Sequence, residues 1–195
     1  MNDADMMSVE QEIKKCLEVL KAGGTILYPT DTIWGIGCDA TNEKAVDKVY
    51  QLKKRMETKS LIVLLDEPEK LALYVKSIPE IARDLIRNVD TPLTIIYPEG
   101  QNLAKNVISE DKSIAIRICS NEFCKALIKQ FGKPIVSTSA NVSGAPTPLV
   151  FKNISKDITS HVDHVVSLFR DEFINVNPSR IIRINDSGEF RIIRK

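Results

Sequence analysis

The chain has 195 residues, 43% of them hydrophobic, with 27 Lys+Arg against 26 Asp+Glu for a formal charge of +1. That length and apolar share suffice for one packed core, and the charge balance excludes a global field drawing the chain to nucleic acid or an anionic membrane, so any polyanion site has to be local. The first eleven positions carry acids where a leader carries a basic stretch and an apolar core, and no apolar run approaches the roughly 20 residues that span a bilayer, so a cytoplasmic location with no membrane partner is expected.

Ser8 followed by Gln11 is a capping box, and Ile13, Cys16, Leu17 and Leu20 then share one helical face before Gly23 and Gly24 end the helix. Residues 1–7 precede that start and are expected to be a flexible N-terminus. Thr25 to Tyr28 reads as a short buried strand stopped by Pro29. Thr41 or Asn42 caps a second helix whose Ala45, Val46, Val49 and Tyr50 face the core. The continuous apolar run Leu61 to Leu65 is what a strand covered on both faces looks like. Asp66 with Glu69 predicts a capped helix through about Val75, and Pro79 opens another through Asn88.

Strands are then expected at Leu93 to Tyr97, Ile114 to Ile118 and Ile135 to Thr138, with Ser120 capping a helix that Gly132 stops. Val165 to Phe169 reads as a further strand. Ile181 to Ile184 and Phe190 to Ile193 form a hairpin around the turn Asn185 to Gly188. Strands interleaved with helices, closing on a hairpin, predict a mixed α/β sheet flanked by helices in a single domain over residues 8–195.

Four stretches are polar beyond what folding asks. The first, Pro29 to Gly37, follows a buried strand, where ligands bind in α/β sheets; the competing account is a tight turn capped by Thr and Asp. Its Gly35-Ile36-Gly37-Cys38-Asp39-Ala40 imitates a dinucleotide fingerprint, but the first glycine lies too far past the strand, and no P-loop exists in the chain. The second, Lys53 to Lys59, sets Lys53 and Arg55 on one side of an extended segment, where they can clamp phosphate oxygens; equally, cations at a helix C-terminus suit its dipole.

The third stretch, Ile135 to Asn141, ends a short strand with three hydroxyls and a carboxamide that can meet a carboxylate or phosphate; the competing account is ordinary turn and cap formation with Gly144, Pro146 and Pro148. The fourth groups Ser179, Arg180, Arg191 and Arg194 near the C-terminus with Arg117, a cation inside an apolar strand that calls for an anionic ligand or an acidic partner. The four cysteines, Cys16, Cys38, Cys119 and Cys124, form no CxxC pair and read as small core residues, and His161 and His164 lack a third ligand by sequence spacing, so no protein-held metal is expected.

In order and spacing these segments resemble the YrdC/TsaC family of threonylcarbamoyl-adenylate synthases. The family reads PT[DE]T-x-x-G-[LI]-G, then K-x-R-P-x-x-K-P-L, then S-x-N in an STSAN-like run. Here they stand as Pro29-Thr30-Asp31-Thr32 with Gly35 and Gly37, then Lys53, Arg55 and Lys59, then Ser139 and Asn141. Met56 and Ser60 replace the two prolines of the second motif, which predicts a looser loop with its cations intact.

The resemblance implies a YrdC-like fold whose twisted mixed sheet carries a concave basic cleft. It implies that Thr30, Thr32, Arg117, Ser139 and Ser179 hold L-threonine, with Arg117 facing the carboxylate. Arg55, Lys59, Ser113, Asn141 and Arg194 would then hold ATP, with Lys53 and Arg55 as the catalytic pair. The resemblance further implies L-threonine, bicarbonate and ATP as substrates, Mg²⁺ riding with the triphosphate, no organic cofactor, and a product that feeds a downstream threonylcarbamoyl transferase modifying tRNA, with direct tRNA contact also open. The rival reading from another class is an RNA-binding module without ATP turnover, against which stand the near-neutral charge and an aromatic content of 6%.

Overall fold

A computed structural model describes residues 8–54, 61–171 and 178–195. Its first helix, α1 (Val9–Lys21), carries the expected capping box: Ser8 Oγ accepts from Gln11 N and the Gln11 side chain accepts from Ser8 N. The strands that follow are β1 (Ile26–Tyr28) and β2 (Gly35–Gly37); Asn42, not Thr41, caps α2 (Glu43–Leu52), and then comes β3 (Ile62–Leu65). Two expected caps are corrected. Asp66 caps nothing, because Pro68–Lys70 forms a 3₁₀ turn before α3 (Leu71–Tyr74), and the Asp66 carboxylate instead accepts from Lys70 Nζ at 2.6 Å. Asn121, one residue past Ser120, supplies the side-chain oxygen that caps the helix at Glu122.

Next come α4 (Glu80–Asn88), β4 (Leu93–Tyr97), β5 (Ile114–Ile118), α5 (Glu122–Phe131) and β6 (Ile135–Ser139). Gly132 ends α5 with a left-handed φ of 75°, a conformation glycine adopts without cost. A short α6 (Lys156–Thr159) and β7 (His164–Val165) lead to the hairpin β8 (Arg180–Ile184) and β9 (Phe190–Arg194). The strand expected through Phe169 is thus confined to its first residue, Val165, joined by His164. Val166 still bonds Leu27 O, but Phe169 turns to φ 64° and packs its ring edge-on against Phe123 at 5.8 Å, so the apolar run serves packing and not pairing.

The strands line up as β7-β1-β2-β6-β3-β5-β4-β8-β9, a mixed sheet. Parallel pairs β3–β5 and β4–β8 alternate with antiparallel β3–β6, β4–β5 and β8–β9. The continuous apolar sequence of β3 follows from its place between β5 and β6, with Val63, Leu64 and Leu65 all buried. α1 and α5 pack against each other, bringing Cys16, Leu20, Leu127 and Ile128 into the core. All four cysteines are free and buried; burial pushes the Cys16 thiol up to about 12, helped by the nearby Glu12 charge. No helix among the described residues is long and apolar enough to cross a membrane.

Candidate active site

The site grows from the turn that follows β1. The Thr30 hydroxyl donates to Ile33 O at 2.7 Å and accepts from Thr32 N at 3.1 Å, which folds Pro29 to Ile33 into a compact loop. The two threonine hydroxyls lie 3.1 Å apart. From the other side the buried Cys124 thiol donates to Pro29 O at 3.1 Å, and burial keeps that thiol protonated by raising it well above its ordinary value. β2 then runs back along β6, with Gly35 opposite Ser139 and Ile36 opposite Thr138. Glycine is needed there for proximity: a Cβ on Gly35 would sit 3.1 Å from Ser137 Oγ and 3.3 Å from Thr30 Cγ2.

Arg117 comes from the middle of the sheet. It stands on β5 between Leu64 of β3 and Thr94 of β4, and it is 3% exposed. The acidic partner that a buried cation requires is Asp31, whose Oδ1 lies 3.0 Å from an Arg117 terminal nitrogen. Thr94 and Ser179 hydroxyls meet at 2.8 Å, and Arg194 of β9 donates to Ser179 O at 2.7 and 2.9 Å and to Ser179 Oγ at 3.2 Å. The Arg194 guanidinium is held below its ordinary value first by burial and then by the like charge of Arg117. Among the described residues two guanidiniums meet here and Asp31, paired with Arg117, is the one carboxylate in an ion pair with either, which leaves this corner positive.

These pieces enclose one hollow of about 360 Å³, within the usual range for small-molecule sites. Of the sequence-predicted residues, Thr30, Thr32, Arg117, Ser139, Ser179 and Arg194 line it. Lys53 stands behind the wall: it is 1% exposed, and its ammonium donates to Ser139 O at 2.5 Å and to Asn141 O at 2.7 Å. Asn141 is tied into the same loop, accepting from Ser139 Oγ at 2.5 Å and donating to Ala145 O at 2.7 Å. Ser113 shares the sheet face of Ala115 and Arg117 but sits at the far end of β5, where it donates to Asp111 at 2.6 Å and Arg183 donates to both. Arg55 and Lys59, with Met56 and Ser60, lie outside the described residues, as does the expected N-terminus 1–7.

Ser137 and Thr138, read with Ser139 as hydroxyls at a strand end, also line the hollow, whereas sequence reasoning gives no role to Thr147 and Leu149. Trp34 is buried against the Phe151 ring at 4.8 Å, while Ser137, Thr138, Thr147 and Leu149 close the wall. A lone tryptophan beside a threonine turn carried a signal; Thr147 and Leu149, in a loop without pattern, carried none. Elsewhere, buried Glu12 and Cys16 gather with His164, but Glu12 is already satisfied by His164 at 2.6 Å and Ser167 at 2.6 Å.

Residues 18–195 match the Sua5/YciO/YrdC family, which carries the description "Telomere recombination". The threonylcarbamoyl-AMP synthase of Pseudoalteromonas translucida (strain TAC 125) is 34% identical over 190 residues, covering 95% of this chain and 100% of that protein. Among solved structures, a P. abyssi Sua5 variant superposes with a TM-score of 0.86 at 24% identity, over 100% of this chain and 56% of that one. P. abyssi Sua5 complexed with L-threonine gives 0.82 at 24% identity, over 92% of this chain and 52% of that one. The chain spans about half the length of those Sua5 chains, and at such identity the likeness speaks for the fold.

Proposed function

The chain belongs to the Sua5/YciO/YrdC family, and from that premise we propose that it is a threonylcarbamoyl-AMP synthase, a nucleotidyltransferase that joins L-threonine, bicarbonate and ATP with release of pyrophosphate. One observation carries the reading: a single hollow collects the Thr30, Thr32, Ser139 and Ser179 hydroxyls and the Arg117 and Arg194 guanidiniums from five separate stretches of chain. Fixed hydroxyls and a buried cation suit an amino acid's carboxylate and polar side chain. The relative of similar length bears the synthase name, and the Sua5 neighbour was solved with L-threonine. Both favour this reading over an RNA-binding module.

In this reading bicarbonate yields carbon dioxide, the threonine amine adds to it through a new N–C bond, and N-carboxythreonine forms with net loss of water. Its new carboxylate attacks the α-phosphorus of ATP, a P–O bond forms, and the bond to the departing pyrophosphate breaks. No protein nucleophile takes part, so the protein contributes position and charge. Arg117 receives the α-carboxylate, Thr32 and Ser139 seat the rest of the amino acid, and Arg194 with Arg55, Lys59, Asn141 and Ser113 serves the nucleotide. Lys53 fixes the loop of Ser139 and Asn141 from behind. Magnesium would ride with the triphosphate, held chiefly by phosphate oxygens and water, and would offset phosphate charge there. The mixed anhydride formed is a substrate for a downstream threonylcarbamoyl transferase acting on tRNA.

The test is omission. With L-threonine, bicarbonate and ATP present, pyrophosphate release and a threonylcarbamoyl-AMP mass are expected together, and both vanish when threonine is left out. Release that persists without threonine contradicts the assignment, and salt-sensitive RNA binding without such turnover favours the RNA-binding module.

A further inference from the structure

Thr30 and Thr32 face the hollow, while the residue between them faces away from it. Asp31 lies on the far side of the same turn, where it borders a second hollow of about 300 Å³ with Asp66, Ile116, Ile118 and Cys119. By the alternation along β5, that face is opposite to the one carrying Ala115 and Arg117. Asp31 therefore reaches the Arg117 guanidinium from behind. The two side chains are 4% exposed each, and among the described residues no other acid pairs with Arg117.

A buried guanidinium without a counter-charge is costly, and it lacks a fixed direction unless something grips it. Here the grip is partial. The 3.0 Å contact is an ion pair to one terminal nitrogen: among the described residues neither Asp31 carboxylate oxygen accepts an aligned hydrogen bond, and Arg117 Nε has no hydrogen-bond partner. The neighbouring Arg194 pushes against Arg117 electrostatically and is itself tied to Ser179. Asp31 thus neutralises part of the corner and leaves donor capacity on Arg117 unspent.

We propose that Asp31 is a positioning residue for Arg117: it holds the guanidinium from behind in the orientation that receives the α-carboxylate of the amino-acid substrate, without touching the substrate itself. The inference rests on the reading of Arg117 as the carboxylate partner. It explains why the turn places an acid between two hydroxyl residues: alternate side chains of one loop serve the ligand and the group that holds the ligand.

The experiment is steady-state pyrophosphate release by the full chain, with L-threonine and ATP varied separately. Asp31→Asn is expected to raise the KM for threonine about tenfold or more, the scale of losing one partner of a buried ion pair, with kcat at saturating threonine and the KM for ATP within about threefold of wild type. Asp31→Glu recovers most of the loss. In an Arg117→Met background, adding Asp31→Asn shifts the threonine KM by less than about twofold, because the carboxylate acts only through the lost guanidinium. An unchanged threonine KM in Asp31→Asn overturns the inference, as do equal rises in both KM values or full additivity with Arg117→Met. Wild-type protein without threonine-dependent release removes the parent reading and the inference together; wild-type turnover with an indifferent Asp31→Asn removes the inference alone. Should Asp31→Asn fail to fold, the melt of Asp31→Asn/Arg117→Met decides: a recovered cooperative melt supports the pairing, and none overturns it.

Discussion

The ammonium of Lys53 illustrates how a motif residue acts at the scale of one side chain. Its position in the K-x-R segment suggests a phosphate clamp, yet its shortest described bonds go to the backbone carbonyls of Ser139 and Asn141, with longer ones to the Ser139 and Asn141 side chains, and the ammonium stays out of water. A lysine there welds the end of α2 to the loop after β6, so two separate motifs share one mechanical element. Asp111 shows the reverse case, a surface group tuned by neighbours. The Ser113 hydroxyl, and after it Arg183, hold its carboxyl below the ordinary 3.8, at about 2. A depressed carboxylate contributes stability above its unfolded pKa and loses it as pH falls through the folded value. The gap in Tm between wild type and Ser113→Ala is therefore expected to be open above about pH 4 and to narrow toward about pH 2. The Asp111 side chain is 52% exposed, so solvent screening keeps the gap small. Melting curves between those pH values check it, and a gap independent of pH contradicts the assignment of the shift to Ser113.

At the scale of elements, β2 is the instructive one. Gly35-Ile36-Gly37 has poor strand propensity and gave no strand signal, but the absence of side chains is what lets it lie between β1 and β6. A Cβ on Gly37 would meet Tyr28 Cε1 at 2.6 Å and Val136 O at 2.8 Å. Gly37→Ala is expected to cost about 1–3 kcal/mol by overpacking, or a fall in Tm of roughly 2–4 °C per kcal/mol, measurable by calorimetry. An unchanged Tm would mean that β2 and β6 are not in close contact. By contrast β4 and β5 could be read to the residue, because Leu93–Tyr97 is a mainly apolar run between Pro92 and Pro98 and Ile114–Ile118 begins where the polar stretch ending at Ser113 stops. Helix α1 was equally legible through its cap and apolar face, and α5 through its apolar face and the Gly132 stop, its cap lying at Asn121 and not Ser120. The run after β7 misled because hydrophobic packing and strand pairing leave the same trace in a sequence.

Across the whole molecule, the polar stretches were legible as segments and their convergence was not. Thr30, Ser139, Ser179 and Arg194 are far apart in the chain, and only the order β1-β2-β6 at one side and β5-β4-β8-β9 at the other brings them around Arg117. That order comes from non-local pairing, which no local pattern encodes. The sequence also announced Arg117 as a cation in need of a partner, but could not say whether that partner was a ligand or a residue. The fold supplies Asp31 on one side and an open hollow on the other.

The central claim is that this hollow seats an amino acid through Arg117. Isothermal calorimetry of L-threonine against wild type and Arg117→Lys tests it directly, since lysine keeps a charge for Asp31 but loses the guanidinium fork. Saturable binding by wild type, weakened about tenfold or more in Arg117→Lys, is the expected result. Equal affinity in both proteins, or no threonine binding by wild type, contradicts the claim.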